Sequence, residues 1–214
     1  MSRFWWWPSK SLSQSRLWAL AAGGVHTKFN SEPFDRLRFE CGPAHSEICL
    51  RDWWGVNGVA DLARTLQWLW EEGHSRNCME FCESMPPPGA GKVLRTGTDP
   101  VCAFIQSNRV ELQTSRLVAW DLSRLVNVAR WGYTAAYIDE GEAWSWILLA
   151  ARKLQQSFRS WAALGRDFVL GYEFWWRIAD QSRDADVERA YQWLLSDRQS
   201  PWRQLAWDTP LSDT

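Results

Sequence analysis

From Ser115 to Tyr133 the chain reads SRLVAWDLSRLVNVARWGY, and this pattern restricts the fold more than any other. At 100° per residue Val118, Leu122, Leu125, Val126, Ala129 and Tyr133 fall on one side of a helix, while Trp120, Arg124, Asn127 and Trp131 fall nearly opposite. Asp121 stands one i,i+3 step from Arg124. Such a helix has two faces that must be buried or used.

The rest of the chain also reads as helical. Leu12 to Ala22 stops at Gly23-Gly24, and Asn57 is placed to cap a helix through GVADLARTLQWLWEEG that ends at Gly73. A short helix is expected from Ser75 to Glu83. Asp99, with Pro100 at the first helical position, opens another around Val101 to Gln113. Asp139 and Glu142 have capping-box spacing, and behind them Ala143, Trp144, Ile147, Ala151, Leu154 and Phe158 form one apolar stripe. Ser160 caps the next helix, with Trp161, Leu164, Phe168, Tyr172 and Trp175 in register. Val187, Ala190, Tyr191 and Leu194 suggest a short helix, and Ser200-Pro201-Trp202 opens the last turn.

No period-2 run bounded by hairpin turns occurs, and no repeat or coiled-coil heptad. The expected fold class is therefore all-α: one domain over residues 1–214, a compact irregular bundle of about eight helices. Two segments stand apart. In the arm of residues 1–11, Trp5, Trp6 and Trp7 cannot share one helix face, so the arm is expected to dock back on its domain. Ser84 to Pro100, SMPPPGAGKVLRTGTDP, has the Pro and Gly density of a surface loop or a functional lid.

Lys and Arg total 24 against 25 Asp and Glu, a net charge of -1, so nucleic acid and anionic membrane are disfavoured as partners. The apolar stretch Ala143 to Ala151 is too short for a bilayer, which needs about 20 residues, so no transmembrane segment is expected. Five cysteines, an odd number, follow an opening MSRFWWWPSK that lacks secretory-signal features, so a reducing cytoplasm is the expected location. Tryptophan, at eighteen residues, is the outlier. Each indole buries a large surface but carries an N–H that needs a partner, which suits cores with polar seams and half-wet boundaries.

The run AWDLSRLVNVARWGYTAAYIDEGEAW, the following LQQSFRSWAALGRDFVLGYEFWW and the closing SPWRQLAW resemble the bacterial family catalogued as domain of unknown function 1266. The upstream WWGVNGVADLARTLQWLWEEGH fits its amino-terminal signature, so the resemblance covers about Trp53 to Trp207. It departs at YTAAYI, where a glycine is expected near Ala136, and in the Pro-rich insert before Lys92. The resemblance implies a bacterial, largely helical, single-domain protein and transfers no catalytic residue.

Trp120, Arg124, Asn127 and Trp131 are the candidate ligand- or partner-binding set: a guanidinium can donate paired hydrogen bonds to an anion while the indoles stack on it. The plainer alternative is a packed network in which Asp121 pairs with Arg124. Two functional readings follow. The first is a binding or interaction protein, of immunity type or regulatory, with a protein partner. The second is an enzyme without a recognised motif, a hydrolase or transferase, using Asp121 or Glu142 as acid or base and Arg124 or Arg130 to hold an anionic substrate. The enzyme needs a concave pocket in which Asp121, Arg124, Arg130 and Glu142 converge, and the interaction protein needs a flatter exposed apolar patch. Sugar stacking on tryptophan is a third reading, suggested by composition alone.

Other motifs are weaker. His74, Cys78 and Cys82 stand at i, i+4 and i+8, as do Cys41, His45 and Cys49, but the outer members of a helical triad lie about 12 Å apart and cannot share one ion. Neither set has a C-x2-C knuckle, so no metal or cofactor is expected, with His74 and Cys78 the residual candidates. His74 follows Gly73 and reads as a helix-end histidine near free carbonyls. Gly42-Pro43 reads as an interruption. GAGK at Gly89 to Lys92 lacks the remaining residues of a phosphate loop, and no G-x-S-x-G elbow occurs.

Overall fold

The computed structural model describes residues 12–84, 100–179 and 185–211. In chain order its helices are α1 (Gln14–Ala21), α2 (Gly24–Phe29), α3 (Gly42–Trp54), α4 (Val59–Glu71), α5 (Gly73–Ser84), α6 (Pro100–Ser115), α7 (Val118–Thr134), α8 (Glu140–Ser157), α9 (Trp161–Ile178), α10 (Ala185–Ser196) and α11 (Pro201–Gln204). No strand occurs among the described residues, and the all-α architecture is as the sequence predicts. The count exceeds about eight because α2 and α11 are one-turn pieces and Gly42-Pro43 starts a helix. Proline in the first turn of a helix lacks only an N–H that would be orphaned there. The Trp5 to Trp7 arm and the interior of the Pro- and Gly-rich segment fall outside the described residues.

α7 is the axle of the bundle. α8, α9, α4 and α3 pack along it, with α2 and α5 at its remaining edges. All its residues from Ala119 to Thr134 except Tyr133 are buried, so the side carrying Arg124 and Asn127 is interior too. A helix buried all round must satisfy its polar side chains from its neighbours. Asn127 Nδ2 donates to the Gly23 carbonyl (3.0 Å), and Thr27 Oγ1 donates to Asn127 Oδ1 (2.9 Å). Ser123 Oγ donates to the Ala22 carbonyl at 2.7 Å. Arg130, fully buried, donates to the carbonyls of Pro33, Arg36 and Leu37 and to Thr27 Oγ1. This polar stripe ties the irregular 30–39 segment to the axle.

Local caps form where the sequence places them. Asp139 accepts from Glu142 N (2.8 Å), Ser160 from Ala163 N (3.2 Å) and Ser200 from Trp202 N (3.1 Å). Asn57 is not a cap: its amide donates to the Gly55 carbonyl, its backbone N–H donates to Asp61, and Gly58 takes the cap position. The chain ends by folding residues 202–207 over α1, where Trp18, Trp161, Trp202 and Trp207 form one aromatic cluster. In that cluster Trp18, Trp161 and Trp202 donate their indole N–H to the carbonyls of Trp207, Leu205 and Ala21.

α7 terminates through a left-handed residue. Tyr137 N donates back to the Gly132 carbonyl (2.8 Å), which requires Ala136 to adopt φ of +60°. This conformation costs an alanine about 1–2 kcal/mol and a glycine almost nothing, which is the physical content of the glycine that the family resemblance leads one to expect here. Ala136→Gly should therefore raise the free energy of unfolding by about 0.5–1 kcal/mol in urea titrations, the side chain being exposed and free of packing.

Candidate functional site

The site begins with two helices that lack caps of their own. α7 starts after Leu117, a left-handed residue (φ +56°) with no side-chain bond to the helix, and α5 starts at Gly73. Both are capped from elsewhere in the fold. Asp167 on α9 accepts from Ala119 N at 2.7 Å, and Asp121 on α7 accepts from His74 N (3.0 Å) and Ser75 N (2.9 Å). These carboxylates satisfy orphan N–H groups and face the positive ends of two helix dipoles. Gly73 has φ of +55°, and a Cβ there would overlap the Asp121 carboxylate. His74 consequently sits at the start of α5, at the opposite dipole end from the carbonyl-rich one that its place after Gly73 suggests. The reason is that α4 ends at Glu71 and the chain re-enters a helix at once.

Asp121 also accepts from Arg124 Nη2 at 2.6 Å, and the same nitrogen lies 2.9 Å from His74 Nδ1. A guanidinium can only donate, so His74 Nδ1 accepts and its ring proton rests on Nε2. Arg124 Nε donates to the Trp120 carbonyl, which leaves Nη1 without a hydrogen bond among the described residues. The guanidinium lies 3.9 Å from the Trp120 ring centroid and 5.2 Å from that of Trp54, within cation–π range of both. Burial lowers the Arg124 pKa to about 10, so it stays charged at neutral pH.

Trp120, Arg124 and His74 line a concave cleft of about 850 Å³. Trp53 and Trp54 from the end of α3, Trp68 from α4, and Trp175 and Trp176 from α9 supply most of the apolar wall. His26 lines it from α2, and Asp61, Arg64 and Thr65 add a polar edge in which Arg64 is paired to Asp61. α9 comes so close to α7 that a Cβ on Gly171 would overlap the Trp120 side chain, which sets Trp120 among Phe168, Tyr172 and Trp175. Among the described residues, the indole N–H groups of Trp120 and Trp176 and Nδ1 of His26, all on cleft residues, are buried without a hydrogen-bond partner.

The structure divides the candidate residues between two places. Trp120 and Arg124 line the cleft and Asp121 braces Arg124 from behind. Asn127 and Trp131 lie further along the axle, at 0 % and 1 % exposure, Asn127 bonded to the α1–α2 junction and Trp131 packed by His26, Phe39 and Trp53. Arg130 braces the 30–39 segment, and Glu142 is exposed in the first turn of α8; neither lines the cleft. Cys78 is buried one turn from Cys82, its thiol pushed well above its usual range by burial. Periodicity alone could not place Trp54, Trp68, Trp176 or His26 at the site. A usable signal was present in the WW pairs at 53–54 and 175–176, since neighbours on a helix point about 100° apart and cannot fill the same core.

The site and fold together define an all-α protein wrapped round a buried helix, with an aromatic cleft fixed by tertiary helix caps. The family model described as protein of unknown function (DUF1266) matches residues 49–207, and the chain belongs to that family. No curated protein and no solved structure matches it.

Three groups around the site, the buried Asp167 and the partly buried His26 and His74, titrate in opposite senses. Burial, then Arg124, lowers His26 to about 3 and His74 to about 4 from 6.5, while burial raises Asp167 to about 6 from 3.8. The histidine contributions are complete above pH 6.5 and are lost as pH falls toward those lowered values. The Asp167 contribution is complete below pH 3.8 and is lost as pH rises through 6. Between pH 7 and pH 5 each histidine costs about 2 kcal/mol and Asp167 returns about 1, so unfolding free energy should drop by about 3 kcal/mol. Chemical denaturation at the two pH values checks this, and Asp167→Asn should steepen the drop. Gly73→Ala should cost about 2–3 kcal/mol at pH 7, from a left-handed alanine and a displaced cap, read as a fall in the urea midpoint.

Proposed function

We propose that this is a binding protein and that the cleft around Arg124 is where it recognises its target. One observation carries the reading: a concave site with indoles on several sides holds a guanidinium on its wall, braced by Asp121 and His74. Cavities of this size suit small-molecule sites, which pair mostly apolar walls with a few placed polar groups. Proton-transfer catalysis is less well supported. A general base works best with a pKa near the operating pH, whereas His26 and His74 are lowered to about 3 and 4, and Asp121 is already engaged by two backbone N–H groups and a guanidinium. The enzyme reading built on Asp121 with Glu142 lacks its second acid at the cleft.

The companion reading is a regulatory or immunity-type role toward a protein partner. Phe29 and Trp53 are exposed and line the cleft, so apolar surface for such a partner adjoins it. Five cysteines, none in a disulfide among the described residues, fit a reducing compartment and hence the bacterial cytoplasm.

A thermal-shift screen of small metabolites tests the reading against a blocked cleft. Compounds that raise the melting temperature of the wild type should do nothing to Thr65→Trp, which fills the space, and should act fully on Glu142→Gln. Hits that ignore the blocked cleft would sink the reading, and chemical turnover of a bound hit would move it to the enzyme.

A further inference from the structure

From the way hydrogen-bonding groups are distributed round the cleft, we infer that its guest is a small flat aromatic monocarboxylic acid. This rests on the cleft being a recognition site and adds the chemistry of what is recognised.

The polar groups left open are donors. In the terminal aromatic cluster the buried indoles of Trp18, Trp161 and Trp202 each donate to a backbone carbonyl, and Trp144 reaches the Glu140 carboxylate at 3.3 Å. The buried indole N–H groups lacking an acceptor, on Trp120 and Trp176, both belong to cleft residues. Those two N–H groups, like the unpartnered Nδ1 of His26, are sealed by the packing round them and do not meet a guest. The donors open to the cleft are Arg124 Nη1 and the Nε2 proton of His74. The acidic groups are already used: Asp61 pairs with Arg64, and Asp121 accepts three hydrogen bonds.

A guest must therefore bring acceptors and need not bring donors. A cation would find no unpaired carboxylate among the described residues that line the cleft. A sugar, whose hydroxyls donate as well as accept, would leave its donors unmatched. A phosphate or polyanion would set two or more charges against a single guanidinium already partly balanced by Asp121. One carboxylate matches: with Arg124 Nε and Nη2 already engaged, it accepts a charge-assisted hydrogen bond from Nη1, stronger than a neutral oxygen would form there. The indole faces on several sides of the cavity select a flat ring system for the remainder.

The probe is 2-naphthoate, titrated calorimetrically into the intact protein beside naphthalene-2-carboxamide, 2-naphthylmethylammonium and 2-naphthyl phosphate. Naphthoate should bind at least about ten-fold tighter than each comparator. Trp176→Phe keeps the ring and removes an N–H that does not face the guest, so it should leave naphthoate affinity unchanged. Arg124→Lys keeps the charge without Nη1 and should weaken naphthoate about five- to ten-fold with the circular dichroism unchanged; should that variant fold poorly, the comparison of acid with amide on the wild type carries the test. Equal binding of acid and amide, abolished by Thr65→Trp, overturns the acid and leaves the cleft a binding site. No naphthoate binding at millimolar concentration, or none lost in a folded Arg124→Lys, also overturns the acid. Binding that survives Thr65→Trp overturns both the acid and the cleft.

Discussion

The carboxylate of Asp121 is the contact on which the rest of the site depends. It leaves the buried axle, crosses to the first N–H groups of α5, and on the way pairs with the guanidinium one turn ahead on its own helix. One side chain thus sets the angle at which α5 departs, the position of His74 and the orientation of Arg124. Asp167 does the same one step back, holding the start of α7 from α9. The two acids form a relay in which each helix end is fixed by the body of another. A buried charge is costly where it is poorly paired. Two helix-end N–H groups and the Arg124 guanidinium compensate Asp121, whereas Asp167 receives one N–H, keeps Oδ1 buried without a partner among the described residues, and has its pKa raised by burial to about 6.

This relay explains which features could be read from sequence. The caps of α8, α9 and α11 were legible because Asp139, Ser160 and Ser200 stand within three residues of the groups they satisfy. Those of α5 and α7 were not, because their acids lie more than forty residues away along the chain and no local spacing announces them. The misplacement of His74 follows from the same cause. A glycine after a helical run looks like a stop, and only the acid waiting across the bundle makes it a start.

The candidate site was legible in part. The spacing of Trp120 and Arg124 on one side of α7 placed both on the cleft wall, but it could not tell a wall from a seam. Asn127 and Trp131 share that side, and α2, α3 and the 30–39 segment close over them before the cleft begins. Trp54, Trp68, Trp176 and His26 come from four other helices, and which of many tryptophans meet is decided by packing that a one-dimensional pattern does not contain. Arg130 has the composition of a binding residue and serves as an internal clamp, its donors used by the carbonyls of an irregular segment that has few hydrogen bonds of its own.

The close approach at Gly171 has a wider effect. α9 carries an aromatic wall of the cleft and also the acid that anchors α7, and Gly171 presses it against Trp120 between those two points. Wall and anchor therefore move as a unit, so the gap between them cannot widen without unseating a helix end. A cavity held to a set gauge in this way sorts its occupants by thickness before any charge is sensed.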